Sequence, residues 1–463
     1  MRSLTTEKAL PPPHPFPSSD PPHPTTHSGD DAVVAGRRKV HRSGRSHHPH
    51  RARLHGFGYF RRLGPGVVSG AADDDPSGIG TYSQVGSSFR FDLVWTAPLC
   101  LPLAAAVQET AARLGLASGR GLLALIKERF PHSIVWLAVV LLVSANTFTI
   151  GADLGSMAAA FRLLVPVPFA VLVVVTAALI VLLEVFVTYD RYSLILRWLA
   201  LSILAYVVEL FVVRVDWSQV ARGLIPTIGA GRGSVEALVA IFGTTISPYL
   251  FVWQAGEEVE ERKAHRIGRV DAAELRLMRI DVITGMAAGI LVMFGIMVTS
   301  ASTLGVNHVG QIQTAAQAAR ALEPLAGRFA SLLFAAGIVG TGVLAIPTLA
   351  GSAAYALSEA MGWKEGLGRK PKEAPRFYAV IAVSVVVGVA LNFVGIDAIR
   401  ALYLAAILNG LAAPPLIVMM LILSNSAAVG RRKGGKVSDA LVGIALLAMS
   451  AAAIVYLIEL VGG

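Results

Sequence analysis

Uncharged stretches long enough to cross a bilayer recur through most of this chain, and nothing else constrains its folding more. They run, for example, from Leu163 to Leu183, Val282 to Ala319, Phe377 to Ile396 and Ala440 to Ile458, where about 20 apolar residues suffice for a membrane helix. Backbone polar groups in lipid must be satisfied internally, so such a chain is expected to be an all-α integral membrane protein. Composition agrees, since 54% of its 463 residues are hydrophobic and 15% charged, against about a quarter charged in a soluble chain. A single-anchor protein is excluded. The one cysteine, Cys100, lies in an apolar segment, which excludes disulfides and cysteine-based metal or redox centres and leaves packing as its role.

The formal charge of +10 invites a nucleic-acid reading until it is split by position. Residues 1–62 hold 11 Lys and Arg against 4 Asp and Glu, so +7 of the total lies there. The same segment carries eight of the eleven histidines and proline runs such as Pro11 to Pro13. With no apolar periodicity to bury, it is expected to be a disordered, basic cytoplasmic tail. His47, His48 and His50 sit among Arg and Pro without the spacing of a defined metal site. The segment reads as a solvated tail or as the product of an upstream mis-called start codon, and it lacks the apolar run of a secretory signal.

Residues 63–463 read as one polytopic domain with eleven spans, at about 64–88, 92–112, 133–160, 167–188, 192–213, 235–256, 281–303, 329–358, 376–395, 400–424 and 439–460. With the tail inside, the inner loops at 113–132, 189–191, 257–280, 360–376 and 425–438 hold 20 Lys and Arg, and the outer loops eight. The positive-inside rule then places the N-terminus in the cytoplasm and, after an odd number of spans, the C-terminus outside the plasma membrane.

Two spans differ from the others. The first contains Asp73-Asp74-Asp75-Pro76-Ser77-Gly78, and the sixth Gly243-Thr244-Thr245-Ile246-Ser247-Pro248-Tyr249. Proline removes a backbone donor and clashes with the preceding turn, so both helices are expected to break there and free backbone carbonyls. Breaks in spans one and six point to a five-plus-five inverted repeat, with repeats at about 64–213 and 235–424, an extra helix at 439–460 and a central site between the breaks. A charge at the bilayer centre is costly and generally marks an ion or proton pathway.

Carboxylate, hydroxyl and carbonyl oxygens are hard ligands suited to Mg²⁺, Ca²⁺ or Mn²⁺. The broken segments offer Asp75, the hydroxyls of Ser77 and Ser247, and the carbonyls near Ala72 and Thr244. Asp73 and Asp74 point about 100° apart on a helical stub, so the three acids are not expected to line one cavity. Like charges this close favour protonation of at least one, a route to proton coupling. Glu257 to Glu261 adjoin Arg262 and Lys263 and read either as a solvated inner helix end or as a vestibule that attracts cations. Asp73, Asp74, Gln254, Asn146 and Asp153 are candidates for an ion or proton path. Glu184, Glu209 and Glu359 lie near span ends and are expected at the interface, Gln108 and Glu109 are expected to meet a basic loop, and Asn409 before Pro414-Pro415 is read as a bend.

With Gly64-Pro65-Gly66 followed nine residues on by Asp75-Pro76-Ser77-Gly78, and Ser247-Pro248-Tyr249 in the sixth span, the chain resembles the Nramp (natural resistance-associated macrophage protein) divalent-metal transporters over about residues 60–460. The resemblance implies eleven or twelve helices in the LeuT fold and metal transport by alternating access, usually with protons. It makes Asp75 the metal-ligating aspartate, with backbone ligands at Ala72 and Thr244. Gly78 stands in place of the family's asparagine ligand, Ser247 in place of its methionine, and Gln254 in place of its second sixth-helix histidine. The acids that the family places in its third helix are not clearly matched by Asn146 or Asp153. Loss of the thioether moves the expectation toward Mg²⁺ or Mn²⁺, with the metal as transported substrate and no cofactor, as in the Nramp-related branch associated with Mg²⁺ uptake.

The rival readings are a LeuT-type transporter of a small organic solute such as an amino acid, a membrane prenyltransferase whose aspartates hold Mg²⁺-diphosphate, and a metal sensor without flux. Three aspartates at the break oppose an anionic solute. The prenyltransferase needs two separated acidic motifs on helices, and only Asp73 to Asp75 is present. The expectation is therefore a transporter and not an enzyme, with no nucleic-acid partner and an open oligomeric state.

Overall fold

Proline sets the architecture. In the computed structural model, which describes residues 65–186, 207–208, 210–226, 233–264, 270–426, 429–430 and 433–462, the first span is split into α1 (Pro65–Asp73) and α2 (Pro76–Phe89). Asp75 between them is extended, at φ −63° and ψ 169°, as the residue before a proline prefers to be. The sixth span is split the same way into α8 (Ser234–Thr245) and α9 (Pro248–Ala264), with Ile246 leaving helical geometry at φ −117° and ψ 55°. Between the breaks lie α3 (Thr96–Ser118), α4 (Leu122–Arg129), α5 (His132–Phe161), α6 (Phe169–Phe186) and the short α7 (Trp217–Gly223). After the second break come α10 (Ala272–Ser300), α11 (Ala330–Met361), α12 (Pro375–Leu391), α13 (Ala398–Ser424) and α14 (Lys436–Gly462). The tail 1–62, Glu209 and most of the fifth span at 192–213 lie outside the described residues.

The helices match ten of the expected spans, with one systematic difference where charged loops were expected. Residues 113–118, 122–129, 257–264 and 272–280, read from sequence as loop, are helical. At Asp271 a capping box starts α10 early: its carboxylate accepts from Ala273 N and Glu274 N, and Glu274 returns a bond to the Asp271 N–H. Glu, Lys and Arg are good helix formers, so these helices extend past their apolar stretches. Helix α13 runs through Pro414-Pro415 without interruption.

Among the described residues six helical stretches are long and apolar enough to cross a membrane by length and composition, with shorter apolar helices at Phe169–Glu184 and Pro375–Leu391. The first span is missing from those six because Asp73, Asp74 and Asp75 place three charges in its middle. Large apolar side chains such as Leu179, Val386 and Leu447 remain exposed, a surface suited to lipid.

The broken helices exchange partners. Both α1 and α2 pack on α10, which follows the second break, and α9 packs on α3, which follows the first. Helices α11, α12 and α13 pack on α5, and α13 also on α8. This reciprocity is the packing that a five-plus-five inverted repeat entails. Glycines allow the closest crossings, as is usual where no hydrophobic force drives helices together in lipid. A Cβ on Gly243 would stand 2.0 Å from the Ala406 carbonyl oxygen of α13.

Candidate cation site at the helix breaks

Asp75 is held by its own helix. Its Oδ1 accepts from Gly78 N at 2.7 Å and from Ser77 Oγ at 2.6 Å, so the carboxylate caps α2, where the helix dipole favours negative charge. Its Oδ2 accepts from Tyr249 Oη at 3.1 Å, across from α9. The same Tyr249 hydroxyl lies 2.9 Å from the Ala72 carbonyl oxygen. Asp75 is 1% exposed.

The second break satisfies itself likewise. Ser247 Oγ lies 2.6 Å from the Gly243 carbonyl and 2.7 Å from the Thr244 carbonyl. Thr244 Oγ1 reaches Ser77 Oγ at 3.4 Å, which joins the breaks. Tyr82 Oη meets Thr245 Oγ1 at 3.0 Å, and Thr245 is also 3.9 Å from the sulfur of Met293 in α10. The breaks themselves offer oxygen, yet the fold brings a thioether beside them from a helix remote in sequence.

Asp75, Ser77, Ala72, Thr244 and Ser247 thus lie in one connected, buried network. Gly78 contributes a backbone N–H to Asp75 and no side-chain ligand; a Cβ there would stand 3.1 Å from the Asp73 carbonyl oxygen and 3.4 Å from Thr244 Oγ1. Among the described residues no three His, Cys, Asp or Glu side chains converge as a preformed metal cage.

The path candidates separate. Asp153 of α5 is a fully buried electrostatic neighbour of Asp75, with the Ser77 backbone N–H toward it. Asn146 instead donates to the Leu349 carbonyl of α11 at 3.0 Å, away from the breaks. Gln254 accepts a short hydrogen bond from Ser69 of α1 and donates to Glu258 at 3.1 Å. Asp73 and Asp74 do share a side, since their Oδ2 atoms come within 3.4 and 3.6 Å of the Cβ position at Gly289. The 100° separation does not apply because α1 ends at Asp73 and Asp74 lies in a turn. Asp75 faces Tyr249, so the three acids do not line one cavity.

Several acids near span ends are less solvated than their positions suggested. Glu258 is 3% exposed and Glu359 6%, and Glu359 accepts from Ala124 N at 2.9 Å. Glu260 accepts from Leu367 N at 2.8 Å and Gly368 N at 2.9 Å, and takes a short bond from Tyr355, so α9 is strapped to the loop after α11. Gln84 Oε1 of α2 accepts from Ile312 N at 2.8 Å, and Ser87 donates to the Gly310 carbonyl at 2.7 Å. Glu109 pairs with Arg113 and with Arg279 at 3.0 Å. Asn409 donates to Thr149 of α5 at 3.0 Å as a packing contact. In the loop after α11, burial pushes the Glu365 carboxyl up to about 7, against the nearby cation of Lys263.

Sequence reasoning missed the bridging role of Tyr249, the Glu260 strap and the approach of Met293 and Gly289. Their partners lie on other helices, and no local motif marks them.

The fold has known counterparts. A manganese transporter of Eremococcus coleocola superposes with TM-score 0.68 at 19% identity, covering 87% of this chain and 88% of that one. Mhp1, a nucleobase-cation-symport-1 family transporter, superposes with TM-score 0.52 at 15% identity over 86% of this chain and 93% of that one. Both likenesses concern the fold alone. In sequence, the chain is 30% identical over 307 residues to the divalent metal cation transporter MntH of Deinococcus radiodurans, covering 62% of this chain and 67% of the relative. It is 27% identical over 303 residues to MntH of Caldanaerobacter subterraneus, covering 63% and 70%. The natural resistance-associated macrophage protein-like (Nramp) family matches residues 66–459, and the chain belongs to that family.

Proposed function

We propose that this chain is a secondary transporter that carries divalent metal cations, with Mg²⁺ and Mn²⁺ favoured, across the plasma membrane by alternating access with protons as the coupling ion. The observation that carries the reading is Asp75, a buried carboxylate at the meeting point of two broken helices, flanked by the Ala72 carbonyl and the Ser77 hydroxyl. The metal is the substrate, and Asp75, Ala72, Thr244, Ser247 and Ser77 are its proposed ligands, with Gly78 fixing the Asp75 carboxylate. Relatives described as divalent metal cation transporters support that substrate class. In this reading the N-terminus is cytoplasmic and the C-terminus outside.

Hydroxyl and carboxylate oxygen in place of a thioether favours hard ions. Gln84 and Ser87 tie α2 to residues 310–312, and Glu260 ties α9 to the loop after α11; in this reading the two straps are the outer and inner gates, and alternating access opens one at a time. Asp153, buried beside Asp75, lines the path for a cation or proton leaving the breaks.

Flux into proteoliposomes of Mg²⁺, Mn²⁺, Ca²⁺ and Cd²⁺, with internal pH recorded, tests the reading. Mg²⁺ or Mn²⁺ entry with acidification is expected. Entry of Cd²⁺ without Mg²⁺ would overturn the selectivity, and a flat pH trace the proton coupling.

A further inference from the structure

The loop between α11 and α12, residues 362–374, is folded back onto the end of the sixth helix. Glu260 of α9 holds it with both carboxylate oxygens: Oε1 accepts from Leu367 N at 2.8 Å and Oε2 from Gly368 N at 2.9 Å. Tyr355 of α11 completes the catch with its short bond to Oε1. At the far end Tyr378 of α12 donates to the Arg369 carbonyl at 2.8 Å. Gly366 turns the chain at φ 128°, a conformation that glycine alone adopts readily. Leu367 is thereby turned inward; it is half-buried and comes against Gly351 of α11, where the Trp253 ring of α9 also packs. Trp253 lies one turn from Tyr249, the residue that bridges Asp75 and Ala72. The loop therefore caps the column of side chains that leads to the breaks.

One acid of this loop is poorly served. Glu365 Oε2 is buried with no hydrogen-bond partner among the described residues. The charged groups that face Glu365 are Lys263 and Glu260 of α9, Arg369 of its own loop and Glu359 of α11. Tyr355 and Tyr378 bond to the backbone of Leu367 and Arg369 instead. Once ionised, Glu365 meets two cations and two carboxylates, one of them the catch, while its buried oxygen stays out of water. We propose that residues 362–374 are a lid over the inner end of the metal path, with Leu367 as plug and Glu260 as catch, and that an acid interior keeps it shut. A neutral Glu365 sits under the closed lid at little cost, and an ionised one favours the open loop, where water reaches it. Burial sets that direction, since it raises this carboxyl from 4.5 to about 7 despite Lys263. Linkage then makes the closed lid about tenfold more favoured at pH 6 than at pH 8. The inference rests on the transport reading and adds regulation to it: an import that carries protons inward would close its own exit.

Hydrogen exchange of the purified full-length protein in detergent reads the lid directly. Relative to free-peptide rates at the same pH, the Leu367 and Gly368 amides are expected to be about tenfold more protected at pH 6 than at pH 8. In Glu365→Gln, which stays neutral, their protection is expected to be the same at both. Mn²⁺ uptake into proteoliposomes reads the consequence, with external pH fixed and internal pH set to 6 or 8. Native uptake is expected to exceed that of Glu365→Gln about tenfold at internal pH 8 and to equal it at pH 6, a ratio in which the proton gradient cancels. Equal native protection at the two pH values, or an uptake ratio indifferent to internal pH, would overturn the lid. If the variant loses its monodisperse gel-filtration peak, the native exchange alone decides. Native protection that shifts with pH while neither protein carries Mn²⁺ would uphold the response of the loop and strike at the transport reading instead.

Discussion

The hydroxyl of Tyr249 lies 3.1 Å from Asp75 Oδ2 and 2.9 Å from the Ala72 carbonyl, so one side chain bridges the two groups expected to hold a cation. It occupies the place from which an ion would touch both. Tyr249→Phe keeps the ring in its buried slot and removes the competitor. The variant is expected to bind Mn²⁺ about fivefold more tightly by calorimetry, about the net worth of one hydrogen bond. Weaker binding by a folded variant would make Tyr249 a ligand.

Gly243 allows α8 to touch α13, since a Cβ there would lie 2.0 Å from the Ala406 carbonyl oxygen and 2.4 Å from Gly410 N. Backbone cannot yield as a flexible side chain does. Gly243→Ala is expected to cost about 1–3 kcal/mol or more, seen as a lower melting temperature of the detergent-solubilised protein. An unchanged melting temperature would contradict the closeness of this crossing.

Glu260 holds the loop after α11 through the Leu367 and Gly368 amides. Glu260→Ala leaves both N–H groups without their acceptor. Hydrogen exchange at these two amides is expected to quicken at least about tenfold, the equivalent of roughly 1.4 kcal/mol of lost protection. Equal rates in both proteins would place the restraint elsewhere.

Burial raises the Glu365 carboxyl to about 7, so the folded chain holds that proton more tightly than the unfolded chain, whose carboxyl titrates near 4.5. Its contribution is therefore greatest in acid and is lost as pH rises from about 4.5 through 7. In Glu365→Gln this part of the pH dependence is expected to vanish. The melting temperature of the native protein should fall between pH 5 and pH 8 by roughly a few degrees more than that of the variant.

Proline acts on its immediate neighbours, so the breaks at Asp75-Pro76 and Ser247-Pro248 were legible in the sequence, and with them the repeat. Apolar length marked most of the remaining spans to within a few residues at most ends, but not α4 and α7, which lie in stretches expected to be loops. At Asp271 the capping box outweighed the run of charges and started α10 earlier than hydropathy indicates. What the sequence hid was pairing at long range. Tyr249 and Asp75 are 174 positions apart, and the meeting of Asp73 with Gly289 depends on how α1 crosses α10. Glu258 and Glu359 read as solvated or interfacial because hydropathy registers a charge and not the helix that covers it.

Mn²⁺ flux into proteoliposomes, native chain against Asp75→Ala, goes to the heart of the matter. With both proteins shown to be folded and inserted equally, the native chain is expected to carry Mn²⁺ and the variant to lose that flux by about two orders of magnitude. Undiminished flux in Asp75→Ala would contradict a substrate site at the first break.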